Sequence, residues 1–339
     1  MMKPMLCGAV VAASLTAGMV QAQSVRDAVQ DRGVLTCGTN ESLVGFASQN
    51  ANGVWNGFDI AMCRAIAAAV LGDALAVEVV PLAPEASLAA LVAGDVDVLV
   101  RRTWDFSNDA GMDVDFVGVY HYDGLGLMVR SSLGVASTTE LEGATVCVTP
   151  DTATDANISD YFRVNNISYT GVPVTNFGDA QRRYLAGDCE VMSGAISSLA
   201  ATRATFETAS EHVILPEILS REPLGPAVRS NDAEWSDIVR WTLFALIAAE
   251  EYGVTSVNVM ELAAVPTNNR EVNRLLGTEG DFGAMLGLPA DWAARVIAAV
   301  GNYGEVFEGS IGEATPVGLA RGLNAQWIDG GLIYAPPFR

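Results

Sequence analysis

The chain has 339 residues and a formal net charge of −21, from 19 Lys and Arg against 40 Asp and Glu. A pI near 4.3 and the lack of any basic run argue against nucleic acid or an anionic membrane surface as partner, while 50% hydrophobic residues allow a core of two ordinary domains or one large domain split by a cleft. The one lysine is Lys3, which excludes Schiff-base chemistry and a P-loop lysine from a chain processed beyond it.

Residues 1–22 read as a signal peptide: a charge at Lys3, an apolar run over Met5–Leu15, and small residues at Val20 and Ala22 before a cleavage point. Cys7 lies inside the apolar run, too early for lipidation, and nothing later approaches the ~18 uninterrupted apolar residues of a membrane span. The mature chain is therefore expected to be exported. In an oxidising compartment its four remaining cysteines, Cys37, Cys63, Cys147 and Cys189, form an even set with three possible pairings. Their distribution favours Cys37–Cys63 and Cys147–Cys189, one pair in each half. A zinc site is disfavoured, since no close C-x-x-C pair exists and His121 and His212 lie near none of the cysteines.

The spacing then predicts alternating strands and helices. Gly33–Gly38 reads as a strand, Phe58–Val70 as a helix, Val77–Pro81 as a strand, Glu85–Ala93 as a helix stopped by Gly94, and Val96–Val100 as the next strand. The rhythm restarts with a strand at Ala144–Val148, a helix at Asp155–Val164 and a strand at Ser168–Val172. Helices follow at Gln181–Ala186, Ser198–Thr208 and Trp235–Glu251, the last with Ile238, Thr242, Ala245, Leu246 and Ala249 on one face. The order implies α/β lobes, each a mostly parallel sheet flanked by helices, with the ligand at the carboxyl ends of the strands.

Catalytic signatures are scarce. G-x-S-x-G, H-E-x-x-H and a G-x-G-x-x-G following a strand are all missing, and His121, in Val119-Tyr-His-Tyr-Asp123, reads as a strand or hinge residue rather than a general base. The chain is expected not to be an enzyme and to need no cofactor and no metal.

Several stretches resemble the periplasmic solute-binding proteins of polar and general L-amino-acid ABC transporters. They are Gly53–Ala67, Ala93–Leu99, Phe116–Gly124, Ser220–Pro226, Val300–Phe307, and Arg321–Ala325 through Gly330–Arg339. The resemblance implies the type 2 periplasmic binding fold, two lobes joined by a two-stranded hinge, periplasmic localisation, and a monomer that delivers a small polar ligand to an ABC permease. It also implies one disulfide per lobe, in agreement with the favoured pairing. The hinge strands are placed near Leu127–Ser131 and Pro223–Val228. Lobe 1 is then 25–128 plus 226–339, whose helical-looking tail 266–339 is expected on lobe 1, and lobe 2 is 129–225.

The same resemblance places the ligand-binding residues at Asn40, Phe46, Arg102, Thr103, Trp104, Asp105, Asn108, Asp151, Thr152, Ala153, Thr154 and Ala195. Family members hold a zwitterion with an arginine fork on the carboxylate and an aspartate on the ammonium. Here the match puts Asn108 in the arginine position and Ala195 in the aspartate position. Asp105 replaces a neutral threonine, one residue is missing before Trp104, and Asp151–Asp155 replaces a glycine followed by threonines. Arg102 is a possible substitute for the missing fork. Asp105 is either a cation partner or a helix N-cap bonded to the amide of Asn108. The rival function is a cleft-based lyase or dehydratase on this two-lobed fold, with Asp105 and Glu41 as its acid and base.

Overall fold

The computed structural model describes residues 23–40 and 42–339, so the expected signal peptide and Glu41 lie outside the described residues. Thirteen strands are present among them: β1 Leu35–Asn40, β2 Ser48–Gln49, β3 Trp55–Asn56, β4 Val77–Leu82, β5 Val98–Thr103, β6 Val114–Phe116, β7 His121–Asp123, β8 Leu125–Arg130, β9 Ala144–Val148, β10 Tyr169–Pro173, β11 Val191–Ala195, β12 His212–Ile214 and β13 Glu222–Arg229. The helices are α1 Val25–Arg32, α2 Phe58–Leu71, α3 Pro84–Ala93, α4 Phe106–Gly111, α5 Ala153–Val164, α6 Phe177–Ala186, α7 Ile196–Arg203 and α8 Ala233–Glu251. The C-terminal region adds α9 Val259–Ala264, α10 Arg270–Leu275, α11 Phe282–Met285, α12 Trp292–Val300 and α13 Tyr303–Ser310.

Two larger sheets organise these elements. The first has the order β4-β1-β5-β13-β6, with β7 also pairing with β13, and the second has the order β10-β9-β11-β8-β12. Within each sheet the β-α-β connections make parallel pairs, β1 with β4 and β5, and β9 with β10 and β11. β13 in the first sheet and β8 in the second run antiparallel to their partners, β12 pairing with β8. Each sheet is covered on both faces, so its parallel strands carry apolar runs such as Val98-Leu-Val100.

The chain passes between the sheets at Gly124 and again within 215–221. The expected hinge lay later at both crossings. Of the run Leu127–Ser131 all but Ser131 falls in β8, a full member of the second sheet, and Pro223–Val228 falls in β13, a full member of the first. The strands of the second sheet and the helices between them lie within residues 125–214, and β13 returns the chain to the first sheet at Glu222. β13 holds Pro223 and Pro226, which lack a ladder donor, yet it lies between two partners. A register shift between Gly225 and Ala227 accommodates Pro226.

Helix α2 is central to the first lobe. It is buried nearly all round, and Gly57 precedes it at φ 128°, where an added Cβ would lie 2.3 Å from the Phe46 carbonyl oxygen. The buried face of α8 includes Ile238, Thr242, Ala245, Leu246 and Ala249. The C-terminal region packs on α2 and α8 through α12 and α13, with an Asn302–Glu305 capping box opening α13 and a bidentate Arg321–Glu250 pair. It is helical only to Ser310; beyond it the chain runs through turns and two short 3-10 segments. It also reaches the second lobe, where Arg203 Nη2 donates to the Val317 carbonyl at 3.1 Å.

Disulfides join Cys37 to Cys63 and Cys147 to Cys189, one in each lobe. They span 26 and 42 residues, each worth ~3–4 kcal/mol by restricting the unfolded chain.

Candidate functional site

The carboxyl ends of the parallel strands bring the two lobes together. β5 of the first lobe ends in Arg101-Arg-Thr103, and β11 of the second ends at Ala195 before α7; these ends meet where Arg101 Nη2 donates to Ser197 Oγ. Around this junction the expected ligand residues are mostly committed to their own backbone. Asp105 is the N-cap of α4: Oδ1 accepts from the Asn108 amide at 2.9 Å and Oδ2 from Asn108 Nδ2 at 2.8 Å. The second Asn108 Nδ2 bond goes to the Thr103 carbonyl at 3.1 Å, so both donors of that amide group are in use. Asp105 therefore matches the capping alternative.

Trp104 stacks on Phe116 with ring centroids 5.7 Å apart, and its amide donates to the Pro223 carbonyl. Arg102 is half-buried, and its Nε has no partner. Burial pushes its pKa down, against the neighbouring charges of Glu85 and Asp105. In the second lobe Asp151 is exposed at φ 60°, and Thr152 caps α5 by accepting from the Asp155 amide while donating to the Thr149 carbonyl at 2.7 Å. Ala153 and Thr154 open α5. Ala195 stands at the N-cap position of α7 with no side-chain capping bond. Asn40 ends β1 and is partly exposed, whereas Phe46 is wholly buried.

Phe46 instead marks a polar cluster that sequence reasoning misses. The Arg101 guanidinium carbon lies 4.0 Å over its ring, and Arg101 is 4% exposed with a left-handed φ of 60°. That backbone costs roughly 1–2 kcal/mol and persists only where the surroundings hold it. Arg101 Nε is 3.9 Å from Asp59 Oδ2, and Nη2 is 3.7 Å from Asp123 Oδ2, close enough for charge compensation but too long for hydrogen bonds. Tyr120 donates to Asp59 Oδ1, and Asp123 accepts from Gly124 N at 2.9 Å, from Ser197 N at 3.3 Å and from Ser197 Oγ. Burial raises the Asp59 carboxyl, while Arg101 and Tyr120 draw it down. His121, against Phe46 and Phe58, is lowered to about 4 by burial, with Asp123 opposing. Burial also lifts the Tyr120 hydroxyl, aided by Asp59.

The sequence does hold a signal for this cluster: Asp59 and Arg101 are charges inside otherwise apolar segments, Phe58–Met62 and Val98–Arg101. Beside the hinge lies a groove of about 750 Å³, bordered by Tyr122, Asp123, Asn157, Arg221, Glu222 and Leu323. None of the twelve expected ligand residues lines it. Among the described residues no group of three or more His, Cys, Asp or Glu is placed to hold a metal, and no helix is long and apolar enough to cross a membrane.

Residues 35–256 match the family model of bacterial extracellular solute-binding proteins, family 3. The chain is 54% identical over 340 residues to the glutamate/glutamine/aspartate/asparagine-binding protein BztA of Rhodobacter capsulatus, covering all of both chains. It is 46% identical, again over both full chains, to the general L-amino acid-binding periplasmic protein AapJ of Rhizobium johnstonii. Among solved structures, an ABC transporter periplasmic binding protein from Brucella ovis with glutathione bound is 45% identical, with a TM-score of 0.87 over 94% of this chain and 100% of that one.

Proposed function

This chain belongs to the bacterial extracellular solute-binding proteins of family 3, and we propose that its solute is an amino-acid derivative, such as a small peptide, rather than a free α-amino acid. Delivery is to an ABC permease, from the periplasm. The observation that carries this reading is the double loss of charged anchors. Asn108 spends both amide donors within its own turn, and Ala195 has no polar side-chain atom. A buried ligand carboxylate without its cation loses ~3–5 kcal/mol, and an unpaired ammonium a similar amount. At 1.4 kcal/mol per decade, free amino acids lose several orders of magnitude in affinity. The glutathione-bound relative carries a peptide-sized solute on this fold. The lyase alternative has no support: Asp105 is engaged as a cap, and the curated relatives are named as binding proteins.

A thermal-shift and calorimetric panel of free amino acids, γ-glutamyl peptides including glutathione, amines and organic acids tests this reading. Glutathione-class compounds are expected to stabilise the protein, and glutamate, glutamine, arginine and alanine to bind no tighter than the high-micromolar range. The Asn108→Arg/Ala195→Asp double variant is expected to gain more for free amino acids than either substitution alone, because a zwitterion with one unpaired end keeps most of its desolvation cost. Low-micromolar binding of a common α-amino acid by the wild type would overturn the reading.

A further inference from the structure

Six buried side-chain nitrogen or oxygen atoms have no hydrogen-bond partner among the described residues, and three of them belong to the cluster on Phe46: Arg101 Nη1, Asp59 Oδ2 and His121 Nδ1. A fourth, Thr39 Oγ1, sits on β1, the strand flanking β5. Native interiors leave few such atoms, so several gathered in one place call for a polar guest. The guanidinium is the plainest case. It carries five N–H donors and makes one hydrogen bond, to Ser197 across the lobe junction. Ser197 belongs to the second lobe, so parting the lobes at 124 and 215–221 would separate it from Arg101 and Asp123.

The chemistry of the unpartnered atoms selects the guest. Arg101 Nη1 needs an acceptor, and Asp59 Oδ2 offers one for a donor. One guanidinium already faces two carboxylates, Asp59 and Asp123, so a further carboxylate adds charge that nothing nearby offsets. A carboxylate also only accepts, which leaves Asp59 Oδ2 unmet. A carboxamide both accepts and donates, and it carries no charge. We propose that the cluster of Asp59, Arg101 and His121 is a subsite for a carboxamide or peptide amide of the solute, and that it sets selection for amides over acids. This rests on the reading that the solute is an amino-acid derivative.

Calorimetry or ligand-observed NMR on the wild-type protein at pH 7 tests it with glutamine, glutamate and glutamate γ-methyl ester, alongside the amines and organic acids of the wider panel. The ester accepts without charge and without donating, so it separates the two causes of selection. Glutamine is expected to bind at least tenfold tighter than glutamate, with the ester between them. Asp59→Asn, checked for native disulfides and a cooperative unfolding transition, is expected to bring the glutamine-to-ester ratio below threefold. Equal affinity for glutamine and glutamate, or a preference for glutamate, would mean that the cluster holds only water; it would overturn this subsite while leaving the amino-acid-derivative reading in place. Binding of amines or organic acids with none of the amino-acid compounds would overturn both.

Discussion

Burial among Phe46, Phe58 and Phe307 keeps the His121 imidazole neutral, with its pKa lowered to about 4 from an ordinary 6.5. Between those two values the unfolded chain binds a proton that the folded chain refuses. Stability is therefore unaffected above about pH 6.5, falls as the pH drops through the window, and levels off below about 4, a loss on the order of 3 kcal/mol. His212, lowered by burial, acts in the same direction. Asp59, Asp97 and Glu222 are raised by burial and oppose it, since their protonation favours the folded state as the pH falls. Urea midpoints for the wild type and His121→Gln between pH 7.5 and 4 isolate the imidazole. The wild type is expected to lose more stability than the variant; parallel curves would refute the assignment. At this scale legibility divides by range. Asp105 is readable as a cap because its partner is three residues away. Arg101 is not, because its one hydrogen-bond partner is 96 residues further on and its direction depends on a left-handed backbone that no local pattern announces.

Elements show the same division. β9 begins and ends where the pattern puts it, because it is an uninterrupted apolar run. α7 stops at Arg203, five residues short of the expected Thr208, in a stretch without a strong terminator. β13 is placed by the family resemblance, not by periodicity. Its ladder with β5, β6 and β7 exists despite two prolines because the neighbours supply the donors: Trp104 N reaches the Pro223 carbonyl, and Val117 N the Pro226 carbonyl. Between those prolines Gly225 lets the backbone of Gly118 come close. A Cβ at 225 would lie 1.9 Å from the Gly118 carbonyl oxygen, a contact that only movement of one strand relieves. Gly225→Ala is expected to cost ~2–3 kcal/mol through overpacking. Denaturant titration against Gly143→Ala, whose added Cβ meets nothing within 4 Å but whose φ of 76° is left-handed where that of Gly225 is not, sets packing at 225 against backbone strain at 143. A smaller loss at 225 than at 143 would show that β13 shifts freely.

For the whole molecule, two lobes with one disulfide in each are legible from chain order and cysteine distribution, whereas the way the lobes are tied is not. Besides the covalent crossings, side-chain hydrogen bonds span the junction: Arg101 and Asp123 to Ser197 at the base, and Arg203 of α7 to the Val317 carbonyl in the C-terminal region. Ala200 and Ala201 of α7 share the first lobe's apolar core. The C-terminal region is thus a strap as well as a layer of core, and it resists rotation of 125–221 against the rest. A hydrogen bond from a charged donor contributes about 1.5–3 kcal/mol, so losing the Arg203 link shifts the open-to-closed ratio by about tenfold or more. Arg203→Ala is expected to raise the radius of gyration of the solute-free protein in small-angle scattering and to speed amide exchange in α7. Saturating solute should restore the wild-type compactness, since solute binding favours closure of the hinge. Scattering and exchange identical to wild type would mean that the apolar contacts of Ala200 and Ala201 hold the lobes without the strap.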